Sequence, residues 1–284
     1  MATGATEFVD KTIADGIFSP DIWSKQVLRA TESNLVLATS VNRGFESDAS
    51  VGKTVKVASI GNLGARAKTE NTAIVYETVA ETATTITLNV WTYAAVGIED
   101  IVKVQSQIDV QNEYQQKMGY AVAKDIDTKL ATDIGGMTQT VGTLGTAASD
   151  ANVLAAIQIL DNNDVPESDR FFVMSPAEKV AKLALDRWSN ALYIGTGNMP
   201  VKNGMLGNMY GLTLKVTTNL VKPAGGQANN AIFHRDTFAL VVQRTPKTHI
   251  FYDIDVFTWK LAVEVIYGHQ EMRDPFGVLV KGVA

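Results

Sequence analysis

The sequence predicts an α+β fold, on three observations. Between Thr84 and about Gly135 the apolar spacing changes from period two to a helical one, so a strand feeds into a long helix. Downstream, short strand-like runs and capped helical segments follow one another without a regular strand–helix–strand rhythm. Neither an internal repeat nor a low-complexity segment interrupts the chain, whose 284 residues, 46% hydrophobic and 19% charged, suffice for one large or two ordinary domains.

Taken in order, residues 1 to 20 are polar, contain Gly4, Gly16 and Pro20, and read as an extended arm. Ser19, Pro20 and Asp21 resemble a helix start, and Ile22, Trp23, Val27 and Leu28 give that helix a partial apolar face. A surface helix and an arm crossing onto a neighbouring subunit are equally compatible with this stretch. Residues 45 to 83 are poor in large apolar side chains. A strand from Lys53 to Ala58 and a threonine-rich strand from about Ala73 to Val79 bracket a glycine-rich, polar tip. Such a hairpin buries little core of its own, so it is expected to project and to be stable only against a partner.

In the stretch from Thr84, Ile86, Leu88 and Val90 alternate with Thr85, Thr87, Asn89 and Trp91. After Gly97, Ile101, Val104, Ile108, Met118, Val122, Ile126 and Leu130 fall on one helical stripe, with Tyr114 beside them. A helix over residues 98–133 would be about 54 Å long at ~1.5 Å per residue, long enough that it must pack along most of its length. Glu99 and Asp100 suit its N-terminus, and Gly135 and Gly136 end it. A turn-rich linker, Met137 to Thr146, precedes a helix over Ala147 to Leu160 capped by Ser149 or Asp150. Arg170 to Met174 reads as a buried strand. Ser175, Pro176 and Glu178 form a capping-box pattern before a helix to about Trp188. Gly195 to Gly207 is a glycine-rich loop. Strands are expected over Gly211 to Val216, Ala231 to Val242 and His249 to Gly268, the last covered on both faces. A turn over Asp274 to Gly277 and a closing strand from Val278 complete the order.

The composition excludes several function classes. There is no cysteine, hence no disulfide and no thiolate metal site. No apolar run is long enough to cross a bilayer, and Glu7, Asp10 and Asp15 interrupt the N-terminal segment where a signal peptide would be apolar. The net charge of −5 argues against tight nucleic-acid binding by a basic surface, though not against a container that encloses nucleic acid without gripping it. His234, His249 and His269 lie outside any paired-ligand spacing, and Ser175 reads as a cap rather than a nucleophile. Gly195 and Gly197 lack the third glycine of a dinucleotide fingerprint. Asp253 and Asp255 share a strand face, but Lys247 and Lys260 make a salt-bridged surface the better reading. Asp125 and Asp127 point to different faces of the helix. No catalytic, metal or cofactor site is indicated. An unrelated soluble α+β enzyme would need a convergent titratable constellation, and the sequence shows none.

The succession of arm, short helix, projecting two-stranded loop, strand into long helix, mixed region and returning strand resembles the major capsid proteins of tailed bacteriophages, the Hong Kong phage-type fold. The stretches VNRGFESDASVGKTVKVASIGNLGARAKT and WTYAAVGIEDIVKVQSQIDV carry that resemblance. It implies an N-terminal arm and short helix (1–44), an extended β-hairpin loop (45–83), a peripheral-domain strand and spine helix (84–136), an axial domain (137–247) and a peripheral return strand (248–284). It implies a non-enzymatic shell subunit that forms hexamers and pentamers and an icosahedral head around double-stranded DNA. Scaffolding, portal and decoration proteins would be its partners, it would contact no membrane, and assembly would occur in the bacterial cytoplasm. An encapsulin-like cellular compartment is the alternative with the same fold. Arg66, Lys68 and Glu70 at the loop tip, Asn198 and Lys202 near the ring axis, and Arg273 and Asp274 on the late turn are the expected inter-subunit contacts. Many relatives carry a sizeable cleavable scaffolding segment ahead of the arm. The short arm here implies that scaffolding is separate or little needed.

Overall fold

The computed structural model describes residues 35–61, 63–79, 81–105, 110–189 and 208–284. The expected arm and its short helix, residues 1–34, lie outside the described residues, as does the glycine-rich loop up to Gly207 with Asn198 and Lys202.

Two larger sheets and one small one organise the described chain. β3 (Val90–Glu99), β8 (Phe238–Asp253) and β9 (Thr258–Glu271) form an antiparallel sheet in the order β3-β9-β8. β4 (Thr140–Gly142), β5 (Arg170–Met174), β6 (Thr213–Val216), β7 (Gln227–His234) and β10 (Gly277–Val283) form a mixed sheet in the order β4-β10-β7-β5-β6. β1 (Thr54–Ile60) and β2 (Glu81–Thr87) make a two-stranded ribbon in which Thr54 faces Thr87 and Ile60 faces Glu81.

The strand-to-helix transition comes later than the periodicity suggested. β3 continues through Gly97 to Glu99, and α1 (Asp100–Gln105) begins at Asp100. α2 (Val110–Gly135) supplies 26 residues, about 39 Å at ~1.5 Å each. Met118, Val122, Ile126, Leu130 and Ile134 are buried against the inner face of the three-stranded sheet, where Ile98, Leu261, Val263, Val265 and Tyr267 point. The first part of the expected stripe is different: Ile101 and Val104 are exposed, because α1 sits at the end of the sheet rather than across it, Ile108 lies outside the described residues, and Tyr114 on α2 is exposed as well. Asp100 works there as a clamp. Its backbone N–H donates to Phe257 O (3.0 Å), and its carboxylate accepts from Tyr252 Oη and Trp259 Nε1, each at 2.7 Å. Asp125 and Asp127 do face apart: Asp125 accepts from Thr92 and Tyr267, whereas the buried Asp127 accepts from the backbone of Leu37 and the side chain of Asn219.

The helices of the five-stranded sheet start where their caps predict. Ser149 Oγ accepts from Asn152 N at the head of α3 (Asp150–Asn162), and Ser175 Oγ from Glu178 N at the head of α4 (Pro176–Leu183). The reciprocal half of the capping box is absent. Ser175 N donates to Asn230 Oδ1, leaving Glu178 to turn inward. The helix expected to reach Trp188 is interrupted, and α5 (Asp186–Ser189) follows as a separate turn. Val153, Leu160, Phe172, Met174, Trp188, Ile232 and Val278 fill the core between α3 and this sheet.

Two expected strands are each two elements. Ala231 to Val242 divides at a 3-10 turn, Arg235–Thr237, so that β7 belongs to one sheet and β8 to the other. His249 to Gly268 is the tip of the β8–β9 hairpin, turning at residues 254–257, and its apolar tip is exposed rather than covered on both faces. β8 runs continuously across residue 247, the expected division, and β10 lies in the five-stranded sheet. The threonine-rich partner of β1 is Glu81–Thr87 and not Ala73 to Val79, because Ile86 has a core to enter whereas Ile74 and Tyr76 have none. At the ribbon's base Val55, Ile86 and Leu88 pack on Ala239 and Val241 of β8. Gly268 permits that approach: a Cβ there would lie 2.4 Å from Thr87 O and 2.9 Å from Leu88 Cδ2. Gly268→Ala is therefore expected to push the ribbon off β9 and to cost about 1–3 kcal/mol, read as a lower urea midpoint.

Candidate functional site

Three exposed surfaces stand out. The first is the loop between β1 and β2. Residues 61 and 63–79 form no regular element, and none of their side chains enters a core cluster. Leu63, Ile74, Val75 and Tyr76 lie open to solvent, Tyr76 at 85% exposure. The two legs enclose a cleft of about 610 Å³. Gly64 N donates to Glu77 Oε2 (3.3 Å), Arg66 lies 4.0 Å from the same carboxylate, and Lys68 Nζ donates to the Thr69 and Thr72 carbonyls. Arg66, Lys68 and Glu70 are all exposed on this loop, Arg66 facing Glu77 and Lys68 facing backbone carbonyls. With apolar side chains outward and charges partly tied, the loop presents surface without having a core.

The second surface is the outer face of the three-stranded sheet, which sequence reasoning did not single out. Trp91 and Tyr93 project from β3 with 69% and 72% of their surface exposed. Beside them Glu264 of β9 accepts from Trp91 Nε1 (2.8 Å) and Arg244 Nη1 (3.0 Å) and lies 3.0 Å from His249 Nε2. The hydrogen bond to His249, then that from Trp91, holds the Glu264 carboxyl below the usual range. Three strands converge on one carboxylate there. The signal available in sequence was the placement of Trp91 on the polar parity of its strand.

The third surface is the tip of the β8–β9 hairpin with α1. Ile250, Phe251, Ile254, Val256 and Phe257 are exposed, as are Ile101 and Val104. The Asp253 carboxylate at this tip is held locally: it pairs with Lys260 and accepts from Asp255 N. Apolar clusters of this size on a protein surface mark association rather than solvation.

Arg273 and Asp274 belong to a different place. Asp274 accepts from Thr138 N (3.1 Å) and from the Thr138 hydroxyl, while the Arg273 guanidinium lies 4.9 Å from the centre of the Phe276 ring. The histidines have structural partners: His234 Nδ1 accepts from Asp236 N, and His269 Nδ1 lies 2.6 Å from Asp133 Oδ2. Burial holds His234 below its usual value. Burial also pulls Asp150 upward, but hydrogen bonds from Trp188, Tyr210 and Arg187 outweigh it and leave the carboxyl below the usual range. Among the described residues no group of three or more metal-ligating side chains comes together, and no helix is long and apolar enough to cross a membrane.

A family model described as phage capsid protein matches residues 80–280. No curated protein matches the chain. Among solved structures, one from Mycobacterium phage Che8 superposes with a TM-score of 0.79 at 21% identity, covering 93% of this chain and 97% of the other. The capsid structure of cyanophage P-SCSP1u gives 0.76 at 15% identity, covering 94% and 93%. The mature capsid of bacteriophage PhiM1 gives 0.71 at 16%, covering 93% and 92%. The family match, to phage capsid protein, does not favour a cellular compartment. The family match spans well over half of the chain, and the fold agrees with it throughout: the chain belongs to the phage capsid protein family and is a structural subunit of a phage head shell.

Proposed function

We propose that the chain closes into hexamers and pentamers that tile an icosahedral head around double-stranded DNA. The extended loop supplies contacts along each ring, and the β8–β9 tip with α1 supplies contacts between rings. One observation carries this reading. The described chain leaves three separate apolar surfaces in water, and an assembly with heterologous contacts around a ring covers several patches at once. The five-stranded sheet with α3–α5 is the axial part and the three-stranded sheet with α2 the peripheral part. Arg66, Lys68, Glu70, Asn198, Lys202, Arg273 and Asp274 are proposed as inter-subunit contacts. The role is geometric rather than enzymatic. Scaffolding, portal and decoration proteins are the expected partners, and the bacterial cytoplasm is the expected place of assembly.

Negative-stain microscopy of the expressed chain is expected to show rings or closed shells. Phe251→Ser combined with Phe257→Ser removes two exposed rings without opening a core. The expected product is a folded subunit, with an unchanged circular-dichroism spectrum, that forms rings at most. Shells of normal yield from that variant would remove the tip from the contact between rings.

A further inference from the structure

The acidic side chains of this chain are unevenly placed, and α2 shows it best. Three of its carboxylates turn away from solvent: Asp125 toward Thr92 and Tyr267, the buried Asp127 toward Leu37 N and Asn219, and Asp133 toward His269. The residues left exposed between Gln116 and Thr132 include Lys124, Thr128 and Lys129, and none of them is acidic. The stripe is about 24 Å long at ~1.5 Å per residue. The loop 217–226 lies alongside it. Asn219 Nδ2 reaches Asp127 Oδ2 (3.1 Å), and a Cβ on Gly135 would lie 3.8 Å from Val221 Cγ2. That loop adds the exposed Lys222, and residues 134–149 and 208–230 contain no aspartate or glutamate. Lys124, Lys129 and Lys222 form no ion pair among the described residues.

Other surfaces differ. α2 packs on the face of the five-stranded sheet to which Val173, Ala231 and Phe233 point; α3 covers the opposite face, over Phe172 and Ile232. On that side Asp161, Asp164, Glu167 and Asp169 are exposed. The outer face of the three-stranded sheet carries cations, but Arg244 and His249 are taken up by Glu264, and Lys260 by Asp253. In a chain of net charge −5, the α2 side is thus free of exposed carboxylates and holds three cations without partners.

We propose that the exposed stripe of α2 with the 217–226 loop is the surface turned toward enclosed duplex DNA, Lys124, Lys129 and Lys222 meeting phosphates. That use rests on the proposed head around double-stranded DNA; the charge distribution does not. The occupant follows from what the stripe lacks as well as from its charge. A protein partner docks on buried apolar or aromatic anchors. Exposed large apolar side chains stop at Tyr114 and resume at Leu154, so the stripe offers no such anchor. Lysines among threonine and glutamine instead suit a polyanion held through its phosphates, without reading of bases. Three cations per subunit give a weak, salt-sensitive contact, so the wall neither repels nor grips the duplex.

Amide chemical shifts of the purified chain, titrated with a short mixed-sequence duplex, test the surface. Shifts are expected along Gln116–Thr132 and around Lys222, and not at Trp91, Tyr93 or Lys247. With three phosphates neutralised, the log–log slope of affinity against salt should be about −2.7, an ~80-fold loss between about 20 and 100 mM. Each of Lys124→Gln, Lys129→Gln and Lys222→Gln should reduce that slope by about 0.9, and Lys247→Gln should leave it unchanged. These side chains are exposed, so the variants should fold as the parent does. An unchanged slope in the triple variant overturns the surface. Stronger shifts with poly-glutamate than with the duplex, at equal charge, overturn DNA as its occupant in favour of an acidic protein. Sidedness is read separately in closed shells of a Lys124→Cys variant, since the chain has no native cysteine. A small maleimide that passes the wall should label it, and a bulky polymer-linked maleimide should not. Labelling by both overturns the inward placement. Absence of shells, with the lysine-dependent duplex contact present, overturns the shell reading alone.

Discussion

A chain lacking residues 61–79 is expected to fold and to fail completely in assembly. The folding half follows from the cores. None of the described residues in that span contributes to the three buried clusters, and the ribbon below it stays anchored through Val55 and Ile86. Removing side chains that are already in water takes little stability away, so the thermal midpoint should stay within a few degrees. The assembly half follows from what the loop offers. Leu63, Ile74, Val75 and Tyr76 are open in the isolated subunit, and covering each is worth about 1.5–3 kcal/mol. Four such side chains per subunit supply a gross gain of about 6–12 kcal/mol, comparable with the cost of fixing one subunit against another. Without them the balance turns against association. Sedimentation velocity and circular dichroism decide it: a folded, slowly sedimenting species is the expected result. Shells of normal yield, or an unfolded chain, would show that the segment either has no place in the contact or belongs to a core.

The sequence made the middle of the fold legible where one physical demand dominated. Met118, Val122, Ile126 and Leu130 had to lie on one stripe because one face of α2 is covered, and the caps at Ser149 and Ser175 are local chemistry. Legibility failed where two demands compete. The β8–β9 turn contains Ile254, Val256 and Phe257, and it is Phe257, at φ 47°, that adopts the left-handed conformation usually left to glycine or asparagine. Apolar residues at a turn read as strand unless their burial by another copy is foreseen. The break at Arg235–Thr237 was hidden for a similar reason: only Arg235 and Asp236 leave the interior, and buried residues, His234 before them and Thr237 and Phe238 after, flank them while the chain changes sheets. For the surfaces, the charges of the loop tip were visible from composition. The convergence of Trp91, Arg244 and His249 on Glu264 was not, because it depends on the register of three strands, including two irregular steps in β8.

Lys182→Met is the substitution from which the largest loss of subunit stability is expected, about 3–5 kcal/mol. Lys182 and Glu178 form an i,i+4 pair on α4 with Nζ 3.1 Å from Oε1 and both side chains 0% exposed. Removing the cation leaves a buried carboxylate without its counter-charge, the costly way to break such a pair. Against a total of about 5–15 kcal/mol for a typical protein, that is a large fraction. The carboxylate also organises its surroundings. Oε1 accepts from Ala148 N (2.9 Å), ahead of α3, Oε2 lies 3.5 Å from Val283 N at the end of β10, and Lys182 donates to Ala148 O. Gly282 lets β10 come this close, since a Cβ there would lie 2.6 Å from Glu178 Oε2. Adding Glu178→Gln to Lys182→Met removes the orphan charge while keeping an acceptor for Ala148 N, so the double variant should recover more than half of the loss. Urea midpoints of the four chains measure the cycle. A single variant within 1 kcal/mol of wild type, or a double variant no better than the single, would mean that water reaches the pair and screens it. If the cycle closes as expected, the pair helps to fasten the end of β10 to α4, beside the Ser175 hydroxyl that donates to Val283 O (2.5 Å), and the strand's last residues are held by a buried ion pair rather than by apolar packing alone.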